Sequence, residues 1–263
     1  MPPRLRVDIV LVNLGIAQSR EKARAMIMAG EVRANGITVT KPGMLVNSDA
    51  SIVMKIKPRY VSRGGDKLAH ALDVFRLVVV NRICADVGAS TGGFTHCLLQ
   101  HGAAHVYAID VGYGQLDYTL RQDNRVIVIE RTNARYLDSL AEKVNLVTID
   151  ASFISLKLLL PAVKKWLEPR ADLIALIKPQ FEAGKKDVGK GGVIRDSHIH
   201  IRVLKDILEF SQTLGFHIAG LTQSPLKGPA GNIEFLVWLT FGFVPPVDNN
   251  IDNLIASVIP QQL

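Results

Sequence analysis

Ile83-Cys84-Ala85-Asp86-Val87-Gly88-Ala89-Ser90-Thr91-Gly92-Gly93-Phe94-Thr95 is the stretch that decides the fold. Ile83–Val87 is short and mostly apolar, as a buried strand is, and it runs into a glycine-rich turn. A helix is expected over Thr91–His101. Such a strand–turn–helix unit opens doubly wound α/β sheets, and glycines in it let the backbone turn sharply and approach a ligand. The spacing is G-x-x-x-G-G rather than G-x-G-x-x-G, and no Lys-Ser/Thr pair follows, so neither a dinucleotide fingerprint nor a phosphate-binding P-loop is present. Taken blandly the segment is a tight βα turn. Its place at the carboxyl end of the first strand favours a ligand instead.

The neighbouring sequence supports the ligand. Asp110 closes the next strand, in Ile109-Asp110-Val111-Gly112, about 20 residues after the glycines. An acid there accepts the hydroxyls of a ribose, although it can also simply cap a strand end. A ribose acceptor without a diphosphate site fits a nucleoside such as S-adenosylmethionine. Further strands are expected at His105–Asp110, Val126–Glu130, Leu146–Asp150, Leu173–Ile177, Phe216–Thr222 and Ile233–Leu239. Helices are expected at Asp66–Phe75, Leu156–Leu167 and Ser197–Leu214. Seven strands alternating with helices imply a mostly parallel sheet covered on both faces. Lys67 then starts a helix, Asp150 and Lys178 end strands, and Glu234 begins a last strand expected to be antiparallel, so all four reach one rim. A charge at a strand end is commonly a solvated terminus; two lysines and two acids beside a nucleoside form a candidate acid–base site in which one cation discourages charging of the other.

The chain has 263 residues and a net charge of +7, with 48% hydrophobic and 21% charged residues, the composition of a folded globular protein. No apolar run approaches the ~18 residues of a membrane helix, and no signal segment follows Met1. Cys84 and Cys97 make no disulfide framework, Cys84 reading as a core thiol. His198 and His200 are two apart, which is not ligand spacing on a helix, and no metal site is expected. Ser90 and Ser152 lack a nucleophile elbow. A cytoplasmic protein is the simplest expectation. Residues 1–60 hold ten Lys/Arg against four Asp/Glu, a net +6 of the total +7. A basic module on a near-neutral body points to a polyanion, nucleic acid before membrane. Within it Arg4–Leu14 reads as a helix ended by Gly15, Ser19 as the cap of a second helix ended by Gly30, and Val32–Val39 as a hairpin about Asn35-Gly36. Ser51–Ile56 alternates like a strand, and Lys57-Pro58-Arg59 is the tie to the larger block. The tail from Pro245 carries only a weak helical stripe, Ile251, Leu254, Ile255 and Val258.

These residues also carry a resemblance. Tyr60-Val61-Ser62-Arg63-Gly64-Gly65-Asp66-Lys67-Leu68, the glycine stretch itself, and Ala108-Ile109-Asp110-Val111-Gly112-Tyr113-Gly114-Gln115-Leu116 resemble the TlyA family. So do Arg131-Thr132-Asn133-Ala134-Arg135, Asp150-Ala151-Ser152-Phe153-Ile154-Ser155-Leu156, Lys178-Pro179-Gln180-Phe181-Glu182 and Gly228-Pro229-Ala230-Gly231-Asn232-Ile233-Glu234-Phe235. Members of that family are described both as haemolysins and as ribosomal RNA 2′-O-methyltransferases. The resemblance, in which the tail over 245–263 has no counterpart, implies a Rossmann-like, FtsJ-type methyltransferase domain over 64–244, preceded by a linker over 59–63. It implies a Lys-Asp-Lys-Glu tetrad, which falls on Lys67, Asp150, Lys178 and Glu234. It implies an S-adenosylmethionine site at Asp86, Gly88, Ser90, Thr91, Gly92, Gly93, Phe94, Asp110, Val111 and Asn133. Ser19-Arg20-Glu21-Lys22-Ala23-Arg24 and Ile27-Met28-Ala29-Gly30-Glu31-Val32-Arg33-Ala34-Asn35-Gly36 make residues 1–58 similar to the small α+β S-four RNA-binding domain. With the basic charge of this block, RNA contacts are expected at Arg4, Arg6, Ser19, Arg20, Lys22, Arg24, Arg33, Asn35, Lys41 and, in the linker, Arg63.

The function so implied is methylation of a ribosomal RNA 2′-hydroxyl, with Lys178 as general base, Lys67 beside it, and Asp150 and Glu234 orienting the pair. Two other classes stand against it. A pore-forming haemolysin needs an amphipathic or membrane-spanning segment, which the sequence lacks. A non-catalytic RNA-binding assembly factor would differ only in failing to transfer methyl groups.

Overall fold

The computed structural model describes residues 3–54, 58–184, 186–189, 191–244 and 250–259. The chain divides into two compact units, Met1–Pro58 and Arg59–Leu263. No helix among the described residues is long and apolar enough to cross a membrane.

The small unit contains β1 (Arg4–Arg6), α1 (Val7–Asn13), α2 (Arg20–Met28), β2 (Val32–Ala34), β3 (Ile37–Thr38), β4 (Leu45–Asn47) and β5 (Ile52–Met54). Ser19 caps α2 as expected, its side chain accepting from the Lys22 amide at 3.2 Å. Asn35 and Gly36 both take the left-handed conformation, with φ 48° and 80°, that a two-residue hairpin turn demands. Val7, Val10, Leu11, Ala23, Ile27, Val32 and Val46 form its core. One expectation fails: Arg4–Leu14 is not a single helix. Arg4–Arg6 pairs antiparallel with β4, Leu5 opposite Val46, and the helix starts only at Val7. The apolar spacing was helical, but the backbone partner lies some forty residues on, where local periodicity says nothing. Of the strand expected over Ser51–Ile56, Lys55 and Ile56 lie outside the described residues, as does Lys57 of the tie.

The large unit runs α3 (Gly64–Phe75), β6 (Ile83–Val87), α4 (Gly93–Gln100), β7 (His105–Ile109), α5 (Tyr118–Arg121), β8 (Val126–Ile129), a 3-10 turn (Ala134–Tyr136), β9 (Val144–Ile149), α6 (Leu156–Lys164), β10 (Leu167–Ile177), α7 (Pro179–Glu182), α8 (Ser197–Thr213), β11 (Phe216–Gln223), β12 (Phe235–Phe241) and α9 (Ile251–Val258). The strands form one seven-stranded sheet in the order β11-β12-β10-β9-β6-β7-β8. All neighbours from β10 to β8 are parallel, and β12 is antiparallel to both its neighbours. Alternation along the strands divides two cores. Ala85, Val87, Val147, Ile149, Leu173 and Ala175 pack on one face with Leu160 and Leu204, while Cys84, Leu146, Ile174 and Leu176 pack on the other with Leu68 and Leu98. Each such fully buried Leu or Ile contributes roughly 1.5–3 kcal/mol.

The helix expected to reach Leu167 ends at Lys164. Trp166 is buried and its indole donates to the Leu137 carbonyl at 2.9 Å, and Leu167 already sits opposite Val144 in the sheet. The C-terminal stripe is a docked helix: α9 packs on α8 and β11 and buries Ile255. Residues 245–249 and 260–263 of the expected tail lie outside the described residues. The strand order reverses at β6, whose neighbours are β7 and β9, so its carboxyl end is the crevice where such sheets hold ligands.

Candidate active site

The glycine loop after β6 is shaped by close packing. Gly88 has φ +83°, and a Cβ on it would stand 2.8 Å from the Asp150 carbonyl oxygen and 3.0 Å from Ala151. Only glycine lets the end of β6 lie against the end of β9 there. Ser90 is also left-handed, at φ 49°. Its amide donates to Asp110 Oδ2 at 2.8 Å, while the Gly112 amide donates to Asp110 Oδ1 at 2.6 Å. Asp110 therefore ties the two loops together across the crevice.

A cavity of about 720 Å³ opens over this point, lined among others by Gly88, Ser90, Asp110, Val111, Asn133, Asp150, Ser152 and Phe153. Beside it lies a second cavity of about 310 Å³, whose lining includes Arg63, Lys67, Thr91, Gly93, Phe94, Lys178 and Glu234. Gly88, Ser90, Asp150 and Ser152 face both. Gly92 lines neither; a Cβ on it would strike Leu120 at 2.3 Å. Asp86 also lines neither. It lies wholly buried beneath the loop, accepting from the amide and hydroxyl of Thr95 at 2.9 and 2.7 Å, and burial pushes its carboxyl up to about 7.

The tetrad positions converge. Lys67 comes from the first turns of α3, Asp150 follows β9, Lys178 follows β10, and Glu234 immediately precedes β12, which reaches the same rim because it is antiparallel. Lys67 Nζ donates to Glu234 Oε2 at 2.6 Å. Lys178 Nζ lies 2.6 Å from Asp150 Oδ1 and donates to Ser152 Oγ at 2.9 Å. Each lysine thus has its own carboxylate. Lys67, Lys178 and Glu234 are buried. Gly228 presses on Glu234, since a Cβ there would come within 2.6 Å of Oε1, and Gln180 Nε2 donates to that oxygen at 3.4 Å.

Ser152, Gln180 and Phe153 did not stand out in the sequence as members of this site. Phe153 is 88% exposed, has φ +62° and meets the Phe181 ring at a 45° tilt with centroids 4.8 Å apart. A non-glycine residue held left-handed at a cavity mouth marks a built feature; its only trace in the sequence is its place directly after Asp150-Ala151-Ser152.

In the small unit Arg4, Lys22, Arg24, Arg33 and Lys41 are exposed. Arg6 and Arg20 both bond Asp8. Ser19 is engaged as a helix cap, and Asn35 Oδ1 accepts from the Ser51 amide at 2.9 Å, so both serve the local fold.

Residues 60–241 match the FtsJ-like methyltransferase family and residues 5–52 the S4 domain. A Bacillus subtilis protein, YqxC, described as an rRNA methyltransferase candidate, is 50% identical over 238 residues, 89% of this chain and 85% of its own. The 16S/23S rRNA (cytidine-2′-O)-methyltransferase TlyA of Mycobacterium tuberculosis is 47% identical over 243 residues, 91% of each chain. The solved structure of a hemolysin candidate from Streptococcus thermophilus superposes with a TM-score of 0.72 at 43% identity, covering 98% of this chain and 96% of that one.

Proposed function

The chain belongs to the TlyA family of FtsJ-like methyltransferases, and on that premise we propose that it methylates ribose 2′-hydroxyls of ribosomal RNA, with Lys178 as the general base. The observation that carries the reading is the junction of the two cavities, where a Lys-Asp-Lys-Glu set adjoins the Gly88–Asp110 crevice through Gly88, Ser90, Asp150 and Ser152.

S-adenosylmethionine fits the larger cavity by its chemistry. Asp110 offers a carboxylate to paired hydroxyls, Ile109, Ile154 and Leu158 offer apolar wall to a base, and Gly88 keeps the backbone low. The bound cofactor supplies an electrophilic methyl on a sulfonium sulfur. A 2′-hydroxyl is a weak nucleophile, so its proton must be taken as attack proceeds. Lys178 Nζ, acting as the neutral amine, takes it on its lone pair, and Asp150, 2.6 Å away, faces the ammonium that results. Lys67, fixed by Glu234, lines the smaller cavity with Lys178 and keeps the hydroxyl in line, alignment being a large part of such a rate. The S4 unit grips the RNA backbone and supplies the affinity that the catalytic unit lacks.

The test is methyl transfer to purified ribosomal RNA with calorimetry of cofactor binding alongside. Transfer by the parent chain separates an enzyme from a non-catalytic assembly factor. Lys178→Ala and Lys178→Arg are both expected to abolish transfer with cofactor affinity kept, since a guanidinium cannot serve as a base near neutral pH. Substantial transfer by Lys178→Arg would make the residue a positioning cation.

A further inference from the structure

Three charged side chains of the small unit meet at one point. Asp8, in the first turn of α1, is 0% exposed. Its carboxylate accepts from Arg6 Nε at 3.0 Å and Arg6 Nη2 at 2.9 Å, a two-pronged pairing, and from Arg20 Nη2 at 3.3 Å. Arg6 belongs to β1 and Arg20 opens α2, so one buried carboxylate gathers guanidinium groups from two elements. The guanidiniums themselves stay at the surface, their side chains 44% and 58% exposed. Gly43 stands close by: a Cβ on it would lie 3.5 Å from the Arg6 guanidinium carbon.

A carboxylate withdrawn from water is costly unless paired and hydrogen-bonded, so the pairing is held firmly. The Arg6 hydrogen bonds outweigh burial and hold the Asp8 carboxyl down at about 2, so it stays charged at every working pH. An unpaired arginine on a surface must lose its rotamer freedom to bind a phosphate; one already fixed does not. Among the described residues Asp8 accepts from Nε and Nη2 of Arg6 and Nη2 of Arg20, which leaves Arg6 Nη1, with Arg20 Nε and Nη1, as donors for an anion. The trio carries a net charge of +1, which one phosphodiester neutralises.

We propose that Asp8 is a positioning residue for RNA, fixing Arg6 and Arg20 as a preformed seat for one backbone phosphate. This rests on the reading that the small unit grips RNA. It makes a prediction opposite in sign to simple charge counting. Removing an acid from a basic domain should strengthen binding to a polyanion; removing this one should weaken it.

The experiment measures binding of purified ribosomal RNA at two salt concentrations by the full chain and by Asp8→Asn, Arg6→Ala, Arg20→Ala and Arg6→Lys. Asp8→Asn is expected to bind at least about fivefold more weakly, with a salt slope reduced by about one. The Arg6 Nε–H resonance should lose its protection from exchange while the backbone amide spectrum of the small unit stays dispersed. Arg6→Lys keeps both the charge and a partner for Asp8 but loses the two-pronged geometry, so it tests the seat even if Asp8→Asn unfolds; it is expected to bind nearly as weakly as Arg6→Ala. Unchanged or tighter binding by Asp8→Asn or Arg6→Lys, with Arg6→Ala and Arg20→Ala weakened, overturns the positioning role. Unchanged binding by both alanine variants instead overturns the reading that this unit grips RNA at these arginines.

Discussion

Asp86 shows how much a single side chain's direction decides. It stands at the head of the glycine stretch, where the family resemblance implies a cofactor ligand. Strand alternation sends it, with Cys84, to the face covered by α3 and α4, and there it bonds Thr95 of α4. With its carboxyl raised by burial to about 7, the folded chain keeps a proton that the unfolded chain releases near 4. Its contribution to stability is therefore complete below pH 4, declines as pH rises from about 4 to about 7, and is level above that. Asp86→Asn keeps the shape and removes the titration. The difference in melting temperature between this variant and the parent should shift in the variant's favour across that window. Parallel curves for the two chains would show that Asp86 does not titrate there. That Lys67, Asp150, Lys178 and Glu234 reach one rim was legible because strand ends and one rim are a matter of order along the chain. Ser152 and Gln180 were not, since their part is a hydrogen bond to a tetrad member that folding alone creates.

At the scale of elements, local periodicity found most of the sheet, because buried strands of a parallel sheet are short apolar runs between helical stretches. It missed β1 and β4, whose pairing is with each other across the whole small unit. It also carried α6 too far, since Trp166 and Leu167 are as apolar as the helix they follow. How elements meet was less legible still. The starts of α3 and α4 touch through Gly93, where a Cβ would lie 2.2 Å from Ser62 Oγ and 2.9 Å from the Gly65 amide nitrogen. Ser62 can turn aside; the Gly65 backbone cannot. Propensity alone would make alanine an improvement in a helix. Contact predicts the reverse for Gly93→Ala, a loss of about 1–3 kcal/mol from overpacking. Because Lys67 lies just inside α3, methyl transfer should fall at temperatures where the variant is still fully folded. A melt and a transfer assay on the same preparation check this, and full activity in the folded variant would mean that Lys67 tolerates the shift.

On the scale of the whole molecule, charge and chemistry are divided between the two units. Residues 1–58 carry nine Lys/Arg and four Asp/Glu, which leaves 59–263 with a net charge of only +2. The glycine loop, Asp110 and the tetrad all follow Pro58, on a sheet with its own cores on both faces. A chain of residues 59–263 is therefore expected to bind S-adenosylmethionine as the parent does. Its affinity for ribosomal RNA should depend less on salt, because each phosphate no longer neutralised is one fewer set of counterions released. Methylation of intact ribosomal RNA should collapse, since a nearly neutral surface cannot hold a large polyanion long enough for transfer. Replacing Arg20, Lys22 and Arg24 together by alanine in the full chain should reproduce part of that loss, and Arg33→Ala with Lys41→Ala should deepen it where they share the contact. RNA affinity at two salt concentrations for the parent, the multiple variants and residues 59–263 decides the matter. Equal slopes for the parent and the shortened chain would place the RNA grip on the catalytic unit, with Arg63 at the 310 Å³ cavity as its nearest cation to the tetrad's Lys67 in sequence.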